Sequence, residues 1–322
     1  MPDSLPKWIP PMLAKLSSSL PADDDRWAYE MKWDGIRGLA FIDQGRLRLM
    51  TRNQIEVTRR YPELAALPSA LGNHGAVLDG EIVGFDDRGR PRFEALQQRM
   101  GLEGNHRIPS RPDVPVAYIV FDVLHLDGSS LVNEPYELRR QKLESLELQG
   151  ANWATPPSAF GGGASMLLAS KEQGYEGVVA KRLGSRYEPG KRTGVWTKIK
   201  NVHRQEFVIG GWIPGEGRRS GQLGSVVVGY YRDGKLISAG GVGTGFTNRM
   251  LVELAKLLEP LSRAENPFSG GHVPKETRFV EPKLVCEVEF IEWTTRGGEL
   301  RHPSFKGLRW DKPPEEVMRE EP

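Results

Sequence analysis

Residues 29–37 constrain this chain more than any other segment, because they read Tyr-Glu-Met-Lys-Trp-Asp-Gly-Ile-Arg and lead directly into an apolar run at 38–42. Glycine allows a tight backbone path, so the segment predicts a strand, a short turn and a second strand. A lysine amine is nucleophilic only when it is neutral, and burial or neighbouring cations lower its pKa towards that state. The pattern therefore fits either a reactive Lys32 or a hairpin turn with a surface pair of Lys32 and Asp34.

The composition is that of a globular protein with room for two domains. The chain has 322 residues, of which 38% are hydrophobic and 27% are charged. Its 44 basic and 42 acidic residues give a formal net charge of +2, which excludes a uniformly cationic nucleic-acid binder but permits a basic patch on one face. The sequence has no long apolar run and no signal-peptide pattern, so we expect a cytoplasmic protein that does not interact with membranes.

Cysteine and histidine usage argues against zinc chemistry. Cys286 is the single cysteine, which rules out an internal disulfide and a four-cysteine zinc site. It lies beside the alternating segment 287–290, and we predict that it belongs to a hydrophobic core. The six histidines are scattered without the spacing of zinc ligands.

The first two hundred residues predict strands mixed with short helices. Residues 39–42 and 47–50 form a predicted hairpin that closes at 43–45, and the glycines at 161–163 open a helix-like segment. The other predicted elements are strands at 27–32, 76–85 and 116–125 and helices at 61–71, 93–100 and 136–148.

The last third of the chain has a different texture, with short strands separated by glycine turns. Strands are predicted at 207–212, 225–231, 235–241 and 284–293, with one helix at 250–258. This pattern is typical of a small β-barrel of the oligonucleotide-binding kind, so we place a domain boundary at 201–203 and predict domains 1–201 and 202–322. The glycines at 240–245 lack the strand-to-helix spacing of a nucleotide loop, and the chain has no Walker-type phosphate loop.

The segment 196–200, Trp-Thr-Lys-Ile-Lys, predicts a strand with one cationic face. Alternation places Lys198 and Lys200 on the same side as Trp196, and Ile199 on the other side. Such a face suits a polyphosphate or another polyanion. The alternative is an edge strand that lysines protect from pairing with another chain.

Six short motifs follow one another in a fixed order. They are Lys32-Trp-Asp-Gly-Ile-Arg37, Thr51-Arg52-Asn53, Asp79-Gly-Glu81, Phe121-Asp122, Glu176-Gly-Val-Val-Ala-Lys181 and Trp196-Thr-Lys198-Ile-Lys200. In this joint order the chain resembles the covalent nucleotidyltransferases, and within them the ATP-dependent DNA ligases. It is most similar to the ligase module of bacterial end-joining polyproteins. The resemblance extends to 301–312, Arg-His-Pro-Ser-Phe-Lys-Gly-Leu-Arg-Trp-Asp-Lys.

This resemblance implies an α+β fold: a nucleotidyltransferase (ATP-grasp-like adenylation) domain with antiparallel sheets, followed by an OB-fold β-barrel. It also implies a reaction in which Lys32 attacks the α-phosphate of ATP, releases pyrophosphate and carries AMP as a phosphoramidate. The AMP then passes to a DNA 5′-phosphate, and a 3′-hydroxyl expels it to form a phosphodiester. Phosphoryl transfers of this kind depend mainly on positioning and on neutralising oxygen charge.

The resemblance assigns roles around the nucleotide. Glu30 reads the adenine edge and Phe121 stacks on the ring, although Phe121 also suits a hydrophobic core. Glu176, with Glu81 as a second ligand, binds Mg²⁺ or alternatively Mn²⁺, which prefer oxygen ligands; a plain salt bridge is the other reading of Glu81. The remaining implied nucleotide contacts are Arg37, Arg52, Arg192, Lys198 and Lys200, with Glu81 at the ribose.

Two further groups of residues follow from the resemblance. The motif near the C-terminus resembles one that binds pyrophosphate in the first step only, so we expect the second domain to swing about 201–203 afterwards. The alternative is a charged surface turn. DNA contacts are expected at backbone phosphates, since a nick sealer accepts any sequence. The pyrophosphate candidates are Arg301, Arg309, Asp311 and Lys312, and the DNA candidates are Arg52, Lys191, Arg218 and Arg219.

The expected partner is nicked or broken duplex DNA, with an end-binding protein as a further candidate. We expect a cytoplasmic, nucleoid-associated monomer that acts as a stand-alone minimal enzyme, without a separate N-terminal DNA-binding domain or an attached polymerase or nuclease region. The rivals are an RNA ligase or an mRNA-capping guanylyltransferase, and a non-catalytic DNA-binding adaptor on the same fold. The motif at 301–312 favours the DNA ligase, and the presence of Lys32 and Glu176 favours an enzyme.

Overall fold

The computed structural model describes residues 5–86, 89–100, 114–201, 203–215, 222–294 and 298–320. By its internal contacts the chain divides into two units, of which the first contains Met1–Arg99 and Arg107–Asn201 and the second contains Val202–Glu320. Within the described ranges, no helix combines the length and the apolar character needed to cross a membrane.

The first unit is built largely from strands. They are β1 Lys15–Leu16, β2 Trp27–Lys32, β3 Ile36–Asp43, β4 Arg46–Thr51, β5 Ala76–Gly84, β6 Val116–Leu126, β7 Ser129–Ser130, β8 Trp153–Ala154, β9 Ala159–Phe160, β10 Gly177–Arg182 and β11 Trp196–Lys200. The predicted strands at 27–32, 76–85, 116–125 and 196–200 are confirmed.

Among the described residues, these strands form two sheets. One has the order β1-β11-β10-β2-β9, and the other has the order β4-β3-β5-β6-β7, with β8 also paired to β6. Strands β2 and β3 are neighbours in sequence but lie in different sheets. Residues 33–35 therefore carry the backbone from one sheet to the other, and Lys32 stands at that crossing.

The crossing requires glycine at position 35. A Cβ added to Gly35 would lie 2.1 Å from the carbonyl oxygen of Ile82 on β5. Gly177, at the start of β10, is equally confined, because its Cβ would lie 2.0 Å from the carbonyl oxygen of Ile199. Both glycines let backbone segments approach closely beside Lys32.

The hairpin β3–β4 closes through Gln44 and Gly45, whose φ angles are 48° and 73°. Positive φ at both central residues matches the type I′ turn, whose twist suits paired strands. The predicted hairpin is confirmed, and its strands extend to Ile36 and Thr51.

Strand β11 contributes to two hydrophobic clusters, one on each face. Trp196 packs in a cluster with Leu39 of β3 and Leu124 of β6, which joins the two sheets. Ile199 packs in a different cluster with Tyr29 and Val178. The predicted alternation along 196–200 is therefore confirmed, and the Trp196 face looks towards the second sheet.

The helices of the first unit are α1 Leu67–Ala70, α2 Phe93–Met100, α3 Tyr136–Ser145 and α4 Gly163–Glu172. The predicted helix at 93–100 is confirmed, and that at 136–148 is present but shorter. The single helix predicted at 61–71 is wrong, because a 3-10 turn at Pro62–Leu64 precedes the four-residue α1. Prolines at positions 62 and 68 lack the N–H that a continuous helix needs.

The second unit contains an antiparallel sheet of order β14-β13-β12-β15-β18. Helix α5, Asn248–Leu258, begins at Thr247, whose hydroxyl accepts a hydrogen bond from Met250 N at 3.1 Å. The predicted elements at 207–212, 225–231, 235–241, 284–293 and 250–258 are confirmed. The strands are β12 His203–Pro214, β13 Leu223–Arg232, β14 Lys235–Val242, β15 Arg278–Phe290, β16 Glu292–Trp293, β17 Leu300–Arg301 and β18 Ser304–Leu308.

Cys286 lies in the core of the second unit, fully buried among Phe207, Val228 and Phe305. Burial raises the pKa of its thiol, which keeps the group neutral and unreactive. The predicted core role of Cys286 is confirmed.

We expect Gly35→Ala to destabilise the first unit, because the added methyl would meet the Ile82 carbonyl and force the backbone apart. Overpacking of this kind costs about 1–3 kcal/mol, which denaturant unfolding measures. Gly75→Ala is the matched control, since its Cβ would meet nothing closer than 3.8 Å. Equal stability of the two variants would show that the crossing tolerates a side chain.

Candidate functional site

Lys32 ends β2, and its amine forms an ion pair with Glu176 Oε2. The other carboxylate oxygen, Oε1, lies 3.5 Å from Lys200 Nζ. Strand register explains this grouping, because Gly177 pairs with Lys32 on β2 and with Lys200 on β11. Glu176, immediately before Gly177, therefore faces two lysines at the point where three strands meet.

The Lys32 side chain is 21% exposed, and its environment raises the pKa of the amine. Burial lowers the pKa, and Lys200 also lowers it, but the Glu176 carboxylate outweighs both, with a smaller contribution from Glu81. Lys200 lowers the pKa of Lys32, as expected of a neighbouring cation, but its effect is smaller than that of Glu176. The nearest charge is an acidic partner at contact distance, which holds the proton on the amine.

Arg37 lies on β3 and is clamped by a buried carboxylate. Its Nε and Nη2 each donate to one oxygen of Asp79 at 2.6 Å, and the Tyr187 hydroxyl donates to the same carboxylate at 2.6 Å. The guanidinium stands over the Phe121 ring, 4.7 Å from its centroid. Although burial lowers the pKa of Arg37, Asp79 raises it by more, so the side chain is a fixed positive charge beside an aromatic face.

Glu30 lies two residues before Lys32 on β2, and thus on the same face of the strand. It is buried, and three donors surround its Oε1 atom. The Tyr136 hydroxyl lies at 2.6 Å, Lys181 Nζ at 2.9 Å and Arg140 Nη1 at 3.7 Å. Glu30 therefore belongs to a buried polar network behind the Lys32 pair.

Lys181, the last lysine of the Glu176 motif, sits among aromatic rings. Its Nζ lies 4.6 Å from the Phe121 ring centroid, 4.5 Å from that of Trp196 and 5.2 Å from that of Tyr136, and it donates to the Phe121 carbonyl at 3.1 Å. Burial lowers its pKa, against the opposing effect of Glu30. Phe121 is half-buried, so it contributes to the packing and still presents a surface.

Five residues of this cluster had no role in the sequence interpretation: Asp79, Tyr136, Arg140, Lys181 and Tyr187. A signal was available for Lys181, since a lysine that closes the apolar run Val178-Val179-Ala180 must be buried and paired. Tyr136 carried no such signal, because its contact with Glu30 spans 106 residues of sequence.

The other predicted nucleotide residues occupy the same unit. Glu81 lies on β5 opposite Arg37 on β3, and Lys198 lies on β11. Arg52 is half-buried in the turn after β4. Arg192 is exposed in the loop between β10 and β11.

The predicted DNA contacts are only partly described. Lys191 is exposed in the loop before β11. Arg218 and Arg219 lie outside the residues that the structure describes.

The pyrophosphate candidates lie on the second unit and are already paired there. Arg309 donates from Nε and Nη2 to the two oxygens of Asp311 at 2.9 Å each, and from Nη1 to Glu287 at 3.2 Å. Lys312 Nζ contacts Glu206 at 3.0 Å. Arg301, on β17, is 55% exposed and contacts Glu292 at 2.5 Å.

Glu176 and Glu81 are the two predicted metal ligands, and both act on Lys32. Glu176 contacts the amine, and Glu81 contributes to its electrostatics. No cluster of three or more metal-binding side chains occurs within the described part of the chain. Magnesium in nucleotide sites takes one or two carboxylates together with substrate phosphates, so the chemistry of these two residues is of the kind that Mg²⁺ binds.

Known proteins match both units of the chain. The family model described as "ATP dependent DNA ligase domain" matches residues 11–200, and "ATP dependent DNA ligase C terminal region" matches residues 219–312. The chain belongs to the ATP-dependent DNA ligase family. The predicted resemblance and the predicted α+β fold with a C-terminal OB-fold are thereby confirmed.

Named relatives of this DNA ligase chain include longer proteins. The multifunctional non-homologous end joining DNA repair protein LigD of Mycobacterium tuberculosis (strain ATCC 25618 / H37Rv) is 42% identical over 315 residues, which are 97% of this chain and 40% of that protein. A DNA ligase of Thermococcus onnurineus (strain NA1) is 35% identical over an alignment of 339 positions, which covers 97% of this chain and 57% of that protein. The ligase chain thus spans less than two thirds of these relatives.

A solved structure, mycobacterial DNA ligase D complexed with ATP and MES, is similar to the chain at 41% sequence identity with a TM-score of 0.70. It covers 97% of this ligase chain and 98% of that chain. The ligase domain from M. tuberculosis LigD is 42% identical, with a TM-score of 0.54 over the same coverage.

We expect Glu176→Gln to lower the pKa of Lys32 in the nucleotide-free ligase, because the substitution removes the charge that holds the proton and leaves Lys200 in place. NMR titration of isotopically labelled lysine side chains, assigned with Lys32→Arg, measures it. Glu172→Gln, on an exposed residue of the preceding helix, is the matched control. An unchanged Lys32 titration in Glu176→Gln would contradict the assigned cause.

Proposed function

We propose that this chain seals nicks or breaks in duplex DNA with ATP, through a covalent AMP on Lys32. The observation that carries the proposal is the contact of Glu176 with both Lys32 and Lys200, in the same unit as the Arg37–Phe121 contact. A lysine with this arrangement has a carboxylate to accept or stabilise its proton and a cation for phosphate oxygens. The family membership supplies the reaction class.

In the first step, the Lys32 nitrogen forms a bond to the α-phosphorus of ATP, the bond to the bridging oxygen breaks, and pyrophosphate leaves. The Lys32 ammonium group gives its proton to water before the neutral amine attacks. Any displacement of Glu176 from Nζ removes the strongest influence that raises the Lys32 pKa, while burial and Lys200 still lower it. Mg²⁺ or Mn²⁺ held by Glu176 and Glu81 supplies, when bound, positive charge at the phosphate oxygens.

The nucleotide is held by groups of opposite character. The Phe121 face suits the base, and Glu30 suits a donor on its edge. Arg37 is already oriented by Asp79, so it binds a phosphate or ribose oxygen with little loss of side-chain entropy. The other proposed oxygen ligands are Arg52, Arg192, Lys198 and Lys200, with Glu81 at the ribose.

In the later steps, AMP passes to the DNA 5′-phosphate, and a 3′-hydroxyl attacks that phosphate and expels AMP. We assign DNA backbone contacts to Arg52, Lys191, Arg218 and Arg219, since phosphate contacts carry no sequence preference. The domains 1–201 and 202–322 are proposed to hinge at 201–203 between steps. An end-joining role with an end-binding protein, and a monomeric enzyme at the nucleoid, complete the proposal.

We expect purified protein incubated with ATP and Mg²⁺ to gain the mass of one AMP, because Lys32 forms a stable phosphoramidate. Intact-protein mass spectrometry measures the adduct, and Lys32→Ala abolishes it. Parallel incubation with GTP, and sealing assays on nicked DNA and nicked RNA, separate a DNA ligase from an RNA ligase or a capping enzyme. If the wild-type protein gains no AMP under these conditions, the proposed function is wrong.

We expect Arg301→Ala to slow self-adenylation by about 10- to 100-fold, the cost of one charge-assisted contact to phosphate. Sealing of a pre-adenylated nick stays near the wild-type rate, because that step needs no pyrophosphate site. Arg249→Ala is the matched control, as both arginines are exposed and each pairs with a glutamate. Equal losses in the two assays would refute a role confined to the first step.

A further inference from the structure

We propose that Tyr136 and Arg140, two buried residues of α3, set the base preference of the nucleotide site by holding the Glu30 carboxylate in one orientation. They act as positioning residues, through Glu30. The inference rests on the proposed function, because it concerns how the same pocket distinguishes ATP from other nucleotides.

The contacts of Glu30 converge on one of its two oxygens. Oε1 faces the Tyr136 hydroxyl at 2.6 Å, Lys181 Nζ at 2.9 Å and Arg140 Nη1 at 3.7 Å. Two donors at hydrogen-bond distance and a third cation hold this oxygen in place. In the described part of the chain, Oε2 is thus the oxygen left to meet a ligand.

The donors on α3 are themselves held from behind. Tyr136 is fully buried, and its hydroxyl lies 3.0 Å from Ser158 Oγ. Arg140 is 2% exposed; it donates from Nε to Glu144 at 2.7 Å and from Nη2 to the carbonyl of Pro156. Its third nitrogen, Nη1, is buried without a hydrogen-bond partner among the described residues and points at Glu30. The helix therefore presents a rigid hydroxyl and a rigid charge to the carboxylate.

This arrangement selects for a base that donates a hydrogen bond at position 6. An ionised carboxylate only accepts hydrogen bonds, and the side chains of Lys181 and Arg140 lie beside Oε1 of Glu30. The 6-amino group of adenine donates to such an oxygen, whereas the 6-oxo group of guanine presents a second acceptor. Buried sites that rely on hydrogen bonds discriminate strongly, because a mismatch leaves a polar group unpaired.

The test compares ATP with purine riboside triphosphate, which lacks the 6-amino group. The quantity measured is kcat/KM for formation of the Lys32 adduct. In Tyr136→Phe the preference for ATP falls about tenfold, equivalent to about 1.4 kcal/mol. The change appears as a higher KM for ATP with kcat unchanged, since base binding is equal in the ground and transition states. Arg140→Gln, a second variant, shifts the preference in the same direction, and Glu30→Gln removes it.

Tyr118→Phe is the matched control. Tyr118 is also fully buried in the first unit, and its hydroxyl donates to backbone carbonyls of Gly38 and Leu78 at 2.9 and 3.1 Å. Its loss costs stability but leaves the nucleotide preference unchanged. If Tyr136→Phe lowers kcat/KM equally for ATP and for the analogue, or for neither, Tyr136 has only a structural role and the inference is overturned.

The same experiment separates the inference from the proposed function. A wild-type protein that forms the adduct from ATP and from the analogue with equal efficiency retains its proposed function but refutes the role of Glu30 and α3. A wild-type protein that forms no adduct with either nucleotide overturns the proposed function itself.

Discussion

The placement of one carboxylate between two lysines is the constraint on which the site depends. Glu176 immediately precedes β10, the strand that pairs with β2 on one side and with β11 on the other. The register that aligns Gly177 with both Lys32 and Lys200 leaves Glu176 no other position. A shift of one residue in either pairing would turn every side chain to the opposite face of the strand. The same change in register would therefore disrupt both the sheet and the site.

Buried charge in the first unit is expensive, and the structure places hydrogen-bond donors beside the buried carboxylates of Glu30, Asp79 and Asp122. Ion pairs removed from water repay their desolvation only when the geometry is good and other hydrogen bonds complete it. Arg139 and Arg140, consecutive on α3, point to different carboxylates: Arg139 binds Asp122 at 2.8 Å and Arg140 faces Glu30. The Arg139–Asp122 pair anchors the helix to β6, which fixes the direction in which Arg140 points. The packing of α3 and the geometry of the site are therefore coupled through these two adjacent residues.

The sequence predicted what depends on local pattern and missed what depends on long-range geometry. Alternation located β2, β5, β6 and β11, and motif order located Lys32, Glu176 and Lys200 as chemical residues. The sequence could not reveal whether Glu176 touches the Lys32 amine. That contact decides whether the pKa of Lys32 is raised or lowered. Tyr136 and Asp79 were not predicted for a related reason, because their partners, Glu30 and Arg37, lie 106 and 42 residues away in sequence. The failed helix at 61–71 was a local error, because its two prolines were visible in the sequence.

The second unit pairs the cations of its C-terminal motif with its own carboxylates. Arg309 is held by Asp311 and Glu287, and Lys312 by Glu206, within that unit. Although burial lowers the pKa of Arg309, Asp311 raises it by more, so the guanidinium keeps its charge. The desolvation of these cations is therefore offset within the second unit by carboxylates that accept their hydrogen bonds.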